Sequence, residues 1–172
     1  MWGVNQNKMK TIKLLSVLLS LMFLSCATED EKMTRYMIGN WETIYVNLEF
    51  PSYQGRDTLV EYDIDFANPH DPRGKEQGKP FTTFKADGTF ITWAERNGRL
   101  VGQKTTAKWR ATKDSLFFIF EQGPGKKDTI VPVGLKQIED GYATRRFVDQ
   151  DRDGKADDLI YLETVRLPDD EN

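Results

Sequence analysis

Hydrophobic and polar residues alternate along most of the chain, in short runs separated by turn signals. Dipeptides such as Asp87-Gly88, Asn97-Gly98 and Asp140-Gly141 recur between runs that are rich in β-branched and aromatic residues. Period-two alternation is typical of strands, and turn signals at a spacing of about 8–12 residues are typical of an all-β fold. The pattern predicts nine strands, in segments 41–50, 58–66, 81–85, 89–95, 105–111, 115–121, 128–138, 142–148 and 158–167.

Short strands joined mostly by tight hairpins favour an antiparallel up-and-down barrel of about 8–10 strands, with a β-sandwich as the alternative. Closure favours the barrel because it removes exposed strand edges. The longest irregular connection, 67–80, is interpreted as a surface insertion, with a binding loop as the alternative. In the first strand Ile44 and Val46 have one parity while Trp41 and Tyr45 have the other, which indicates a bulge or burial on both faces. The ligand-contacting residues are therefore left unassigned.

The N-terminal segment has a different pattern. Lys8, Lys10 and Lys13 precede an apolar run of eleven residues, Leu14–Leu24. A bilayer-spanning helix needs about 20 apolar residues, so this run is too short to span and matches a secretory signal. Residues 1–25 are predicted to be a signal peptide, with Met9 as an alternative start.

Cys26 is the only cysteine and stands where the apolar run stops. The sequence Phe23-Leu24-Ser25-Cys26 resembles a bacterial lipobox, which implies acylation of Cys26 and anchoring to the membrane. No Asp follows Cys26 directly, which favours the outer membrane over retention in the inner one. Residues 26–36 are predicted to be a lipidated acidic tether. The run Glu29-Asp30-Glu31 within it resembles an export signal to the cell surface, with a plain solvated tether as the alternative.

Composition and charge narrow the function further. With 38% hydrophobic and 30% charged residues, the chain is an ordinary globular protein, and residues 37–172 are predicted to form one domain. Without the three lysines of the signal, 21 basic residues face 27 acidic ones, a net charge of −6. Such an acidic protein is not expected to bind nucleic acid. The single histidine, His70, lies in a proline-rich loop, so no catalytic triad is expected and the protein is predicted not to be an enzyme.

The segment Gly39-Asn40-Trp41 opens the first predicted strand. It is similar to the Gly-x-Trp start of lipocalins. The segments FKADGTF (84–90) and TAKWRATKDSLFF (106–118) also resemble small bacterial lipocalin-like lipoproteins. The resemblance implies a lipocalin-like barrel in which Arg166, late in the last strand, stacks on Trp41 and closes the barrel floor.

An acidic stretch lies directly before the last predicted strand. Its aspartates have the spacing of a calcium loop, and Gly154 at the sixth position permits a sharp turn. Ca²⁺ takes six to eight oxygen ligands. The predicted ligands are the carboxylates of Asp149, Asp151, Asp153 and Asp157 and the carbonyl of Lys155.

This stretch is not an EF-hand, because its twelfth position is Ile160 where an EF-hand has a bidentate Glu. It resembles instead the Asp-x-Asp-x-Asp-Gly-x-x-Asp loop of integrin-type β-propeller repeats, in which an apolar strand follows the last aspartate. The resemblance implies weak, structural Ca²⁺ binding. An ion-free acidic turn is the alternative, although repulsion among the carboxylates opposes it.

These features predict a lipid-anchored lipoprotein of the bacterial outer membrane, exposed at the cell surface if the acidic run acts as an export signal. Its barrel is expected to bind a small, partly apolar ligand. A non-catalytic interaction or structural protein with a filled barrel is the main alternative, and a hydrolase is a minor one. A cavity of about 300 Å³ or more would favour the ligand-binding hypothesis.

Overall fold

The computed structural model describes residues 27–168. Helix α1 covers Glu29–Met37 and a short helix, α2, covers Pro72–Gln77. The strands are β1 Gly39–Phe50, β2 Val60–Asp65, β3 Lys79–Phe84, β4 Thr89–Arg96, β5 Arg99–Ala111, β6 Ser115–Phe120, β7 Thr129–Ile138, β8 Gly141–Val148 and β9 Asp158–Arg166. The predicted signal peptide, the alternative start at Met9 and the predicted lipidation site at Cys26 lie outside the described residues.

Eight strands close into an antiparallel barrel. From β3 to β9 each strand pairs with the next along the chain, and β1 pairs with both β9 and β3. The ring is therefore β1 followed by β3 to β9, in up-and-down order. The predicted all-β barrel is confirmed.

The ninth strand, β2, lies outside this ring order. It pairs with Tyr45–Phe50 of β1, while β3 pairs with Gly39–Glu42 on the same edge of β1. Residues 66–78 thus interrupt what would otherwise be one long strand. This segment was interpreted as an irregular insertion, and it contains helix α2, which starts at Pro72 and is capped by the Asp71 side chain.

A β-bulge explains the imperfect alternation of β1. The register between β1 and β9 shifts between Thr43 and Tyr45. Trp41 and Thr43 are buried below the shift, whereas Val46 and Phe50 are buried above it. The inward face therefore changes from odd to even positions within one strand.

Helix α1 covers one end of the barrel, which we call the floor. The segment predicted as an acidic tether is helical from Glu29 onward, and the Thr28 and Glu31 side chains form a capping box at its start. Met33, Tyr36 and Met37 are spaced like one face of a helix and pack against the core. The folded region therefore begins before residue 37, the predicted start of the domain.

The tightest packing lies at the floor. Met37, Trp41 and Leu116 are completely buried there, and Phe84 is nearly so. The loops between β1 and β2, β4 and β5, β6 and β7, and β8 and β9 lie at the opposite end. None of the helices between residues 27 and 168 has the length and apolar character required to cross a membrane.

Candidate functional site

The barrel encloses a cavity of about 330 Å³ above the floor. Ten of the residues that line it are apolar, and they come from five strands. These residues are Pro80, Phe84, Phe90, Leu116, Phe118, Phe120, Val131, Val133, Ile160 and Leu162. All of them belong to the inward-facing sets of their strands, so the cavity is a property of the barrel itself and not of a surface loop.

The cavity also has a polar side, made of five threonines and one tyrosine. The threonines are Thr43, Thr82, Thr92, Thr144 and Thr164. Thr82 faces Thr92 across neighbouring strands, with hydroxyl oxygens 3.5 Å apart, and Thr92 Oγ1 donates to the carbonyl of Phe81 at 2.9 Å. Tyr142 is buried, and this burial raises the pKa of its phenol well above the usual range. Tyr142 therefore stays protonated and uncharged at neutral pH.

Two arginines of β8 border the cavity. Arg146 has the parity of Tyr142 and Thr144, which line the interior, and is exposed at the mouth. Arg145 has the opposite parity, and its side chain crosses Gly134 on the outer surface, where an added Cβ would lie 3.2 Å from Arg145 Cγ. No ion pair among residues 27–168 involves Arg146. The mouth thus presents a cation, and no carboxylate lines the cavity.

Trp41 and Arg166 meet at the floor. The Arg166 guanidinium lies 4.2 Å from the centroid of the Trp41 ring, and it donates to the carbonyls of Ile38 and Tyr36. Trp41 Nε1 donates to the carbonyl of Met37 at 2.8 Å. The cation–π contact and these hydrogen bonds connect β9, β1 and α1.

The loop between β8 and β9, residues 149–157, brings two of its aspartates close to Asp158, the first residue of β9. Carboxylate oxygens of Asp149, Asp151 and Asp158 lie within 4.8 Å of one another and could hold a metal ion. Arg152 and Gly154 adopt left-handed backbone conformations, which let the loop fold back on itself. Asp149 and Asp151 were predicted as ligands, whereas Asp158 was not.

The other predicted ligands have different surroundings. Asp153 accepts from the Lys155 backbone N–H at 2.8 Å and from the Ser52 hydroxyl at 2.9 Å. The first of these bonds is the main reason that the pKa of Asp153 lies below its usual value. Asp157 approaches Ser52 through Oδ2 at 3.4 Å, while its Oδ1 is buried without a hydrogen-bond partner. The predicted ligand role of the Lys155 carbonyl stays a prediction.

Asp158 is the residue that sequence reasoning missed. It is only 1% exposed, and its Oδ2 accepts from the backbone N–H groups of Gln150 and Asp151 at 2.6 and 3.0 Å. Its position at the start of a strand suggested an ordinary strand residue. The available signal was an aspartate at the first position of a strand, directly after an acidic loop. A carboxylate that is buried in a strand needs hydrogen-bond donors or a cation as partners.

His70 is exposed in the insertion between β2 and β3, and its backbone N–H donates to the Asn68 side chain.

Comparison with family models, with curated proteins and with solved structures finds no match to this chain. The barrel cavity and the aspartate loop are therefore the features from which a function has to be argued.

Proposed function

We propose that this protein binds a small, partly apolar molecule inside its barrel, as a lipid-anchored protein of the bacterial outer membrane. The observation that carries the binding proposal is the cavity of about 330 Å³ lined by ten apolar residues. This volume is in the range of about 300–1,000 Å³ that is usual for small-molecule sites. Its lining combines a large apolar area with a few polar groups, as such sites do.

The main alternative, an interaction protein with a filled barrel, accounts less well for this interior. The completely or almost completely buried apolar side chains lie at the floor, where they include Trp41, Phe84 and Leu116. Higher up, Phe118 and Phe120 border the cavity and remain partly exposed. An interior that served only stability would gain from larger side chains at these levels, because packing to crystal-like density is the norm in protein cores.

The test of ligand binding compares two neighbouring residues of β7. Val131 lines the cavity, whereas Ile130 faces the solvent and is 52% exposed. Val131→Trp should fill the cavity and abolish binding of an apolar fluorescent dye, measured by titration. Ile130→Trp adds the same kind of ring outside and should leave the affinity for the dye unchanged.

Native mass spectrometry of the protein purified from its own cells provides an independent measurement. A co-purifying small molecule is expected with the wild type and is expected to be lost with Val131→Trp. If the dye does not bind the wild type, or binds both tryptophan variants equally, the cavity is not a binding site. The filled-barrel alternative would then be preferred.

Membrane anchoring is proposed from the sequence around Cys26. A labelled fatty acid supplied to cells should tag the wild type, and Cys26→Ser should remain untagged and appear in the soluble fraction. An untagged, soluble wild type would exclude the lipoprotein part of the proposal.

We also propose that the loop between β8 and β9 binds Ca²⁺ as a structural ion. The supporting observations are the approach of Asp149, Asp151 and Asp158 and the partnerless, buried Oδ1 of Asp157. Three close carboxylates repel one another, and a divalent cation relieves this repulsion. The ion would connect this loop to the start of β9, and an affinity of about 10⁻⁴–10⁻³ M is expected of an extracellular module.

Calcium should raise the melting temperature of the protein. An ion that binds only the folded chain stabilises it by RT ln(1 + [L]/Kd), about 1.4 kcal/mol at ten times Kd. Asp149→Asn with Asp151→Asn should remove the shift, whereas Glu121→Gln with Glu139→Gln, which removes the same charge elsewhere on the surface, should retain it. A melting temperature that does not change up to about 10 mM calcium, above the affinity range expected here, would leave only an ion-free turn.

A further inference from the structure

The polar groups of the cavity are gathered on one side of the barrel, close to the floor. Thr43 faces Thr164, Thr82 faces Thr92, and Tyr142 faces Thr164 on neighbouring strands. Together with Thr144, which pairs with Leu162 one inward position above Thr164, they form a belt across the adjacent strands β4, β3, β1, β9 and β8. This hydroxyl belt lies directly above the floor, since Thr82 is also paired with Trp41.

The rest of the cavity wall is apolar. On β6 and β7 all the lining residues are apolar: Leu116, Phe118, Phe120, Val131 and Val133. Beyond Thr164, β9 continues with Leu162, at the level of Thr144, and with Ile160. Threonine is a common strand residue, but strand propensity alone would not concentrate the hydroxyls on five adjacent strands and leave two without any.

The belt determines what can occupy the inner end of the cavity. Some belt hydroxyls already have partners within the belt or the backbone, as Thr82 with Thr92, Thr92 with the Phe81 carbonyl and Tyr142 with Thr164. A methyl group placed there would leave the remaining hydrogen-bonding capacity of these hydroxyls unused, which is unfavourable. A charged group would be more unfavourable still, because no charged residue lines the cavity at this depth. A hydroxyl or carbonyl group is uncharged and can form hydrogen bonds with the belt, since threonine and protonated tyrosine hydroxyls both donate and accept.

The mouth has different chemistry. Arg146 lies four residues along β8 from Tyr142, a distance of about 14 Å at about 3.4 Å per residue. Its guanidinium has no ion-pair partner among residues 27–168. An anionic group at the outer end of the ligand would supply one.

We infer that the ligand is an amphiphile with polar groups at both ends, an uncharged hydroxyl or carbonyl at the inner end against the hydroxyl belt and an anion at the mouth beside Arg146. This inference rests on the proposed ligand binding in the barrel and names the chemical class of the ligand. It excludes simple alkyl amphiphiles, which have a single polar end.

The test uses decanoate and 10-hydroxydecanoate, two probes that differ only in the hydroxyl at the inner end. Both are titrated calorimetrically into the full chain carrying Cys26→Ser, which cannot be acylated. The hydroxylated probe should bind about fivefold more tightly, the effect of one net hydrogen bond. In a purely apolar cavity the order would be reversed, because the hydroxyl would be desolvated without a partner.

Two pairs of variants test whether the hydroxyl belt causes the preference for 10-hydroxydecanoate over decanoate. Thr43→Val with Thr164→Val keeps the side-chain shapes and should reverse the preference in favour of decanoate. Thr105→Val with Thr106→Val makes the same change at two exposed positions of β5 that do not line the cavity, and should leave the preference unchanged. If the first pair reduces folding, as judged by circular dichroism, Thr144→Val alone replaces it.

Charge at the mouth is tested in parallel. Arg146→Gln should weaken the binding of both anionic probes by about fivefold or more, the effect of a charge-assisted hydrogen bond. Arg110→Gln, which removes a guanidinium stacked on Phe117 on the outer surface, should have no effect.

The outcomes distinguish the inference from the proposed function. Decanoate binding as tightly as 10-hydroxydecanoate, or an unchanged preference in Thr43→Val with Thr164→Val, would overturn the inner polar group. Equal effects of Arg146→Gln and Arg110→Gln would overturn the outer anion. In each case binding in the barrel would stand. Failure of both probes and of the apolar dye to bind would overturn the proposed function itself.

Discussion

At the floor of the barrel, Gly39 has a role that its small size explains. Its φ is +137°, and a Cβ at this position would lie 2.4 Å from Arg166 Nη1. The absence of a side chain lets the guanidinium approach the Trp41 ring and the carbonyls of Ile38 and Tyr36. The Gly-x-Trp pattern is therefore a packing requirement in this chain: glycine makes room for the cation, and tryptophan provides the ring beneath it.

A second feature at the residue scale is the hydrogen bond from the Tyr45 hydroxyl to Asp63 on the outer surface. This bond, more than burial, raises the pKa of Tyr45 from 10.0 to about 12. Because folding raises this pKa, the stabilisation from the protonated phenol is complete below pH 10 and is lost as the pH rises toward 12. We expect the stability of the wild type to fall across this alkaline range.

The measurement is a comparison of unfolding by denaturant at pH 9 and pH 11.5. Tyr45→Phe should show a smaller loss of stability between these two pH values than the wild type. Asp63→Asn should lower the pKa of Tyr45 toward its ordinary value, detectable in the ultraviolet titration of the phenolate. An equal loss of stability in the wild type and in Tyr45→Phe would contradict the role given to this bond.

At the scale of elements, helix α1 is part of the barrel domain. The Tyr36 hydroxyl donates to the Gly141 carbonyl at 2.7 Å, and the Asp30 carboxylate accepts from the Lys113 backbone N–H at 2.8 Å. Met37, at the end of the helix, is completely buried against the floor. The helix therefore connects the chain entering the domain to two loops of the barrel floor.

This arrangement predicts a stability effect of the capping residue. Thr28→Ala removes the side-chain oxygen that accepts from the Glu31 backbone N–H and should reduce the free energy of unfolding by about 0.5–2 kcal/mol. Thr106→Ala, at an exposed strand position, is the control. A destabilisation by Thr28→Ala no larger than that of the control would show that α1 unfolds independently of the barrel.

At the scale of the whole molecule, the barrel divides into a packed floor and a hollow upper part. The floor cluster includes Trp41, Phe84, Trp109 and Leu116, whereas the upper part holds the cavity. The division places the most tightly buried side chains at one end and the cavity, the proposed ligand site, at the other. Changes in the upper part can therefore alter the cavity while the floor holds the barrel closed.

The packed floor and the hollow upper part predict different losses of stability for two substitutions on β6. Leu116→Ala, at a position with 0% exposure, should destabilise the protein by about 2–5 kcal/mol. Phe120→Ala should cost less than the about 3–5 kcal/mol usual for a buried phenylalanine, because its ring already borders empty space. Thermal and chemical denaturation measure both. A larger cost for Phe120→Ala would mean that the upper part is packed as a core.

Several properties of this protein were determined by local sequence. Strand positions follow from alternation and turn dipeptides, so eight of the nine strands were predicted within two residues of their observed bounds. The exception is β5, which was predicted to begin at residue 105 and begins at Arg99. The turn geometry of the aspartate loop follows from Gly154 and from aspartates that accept backbone N–H groups within a few residues. These features depend on contacts near in sequence, and a single chain carries that information directly.

Other properties were decided only by tertiary structure. The bulge at Thr43–Tyr45 sets which side chains of β1 face inward, and it depends on the pairing of β1 with β9, which lies more than a hundred residues away. Asp158 joins Asp149 and Asp151 because the loop folds back over the start of a strand. Helix α1 is part of the domain because the barrel floor buries its apolar face. The hydroxyl belt exists only once five strands are placed side by side, since its members are scattered between Thr43 and Thr164 and closure of the barrel brings them to one side of the cavity.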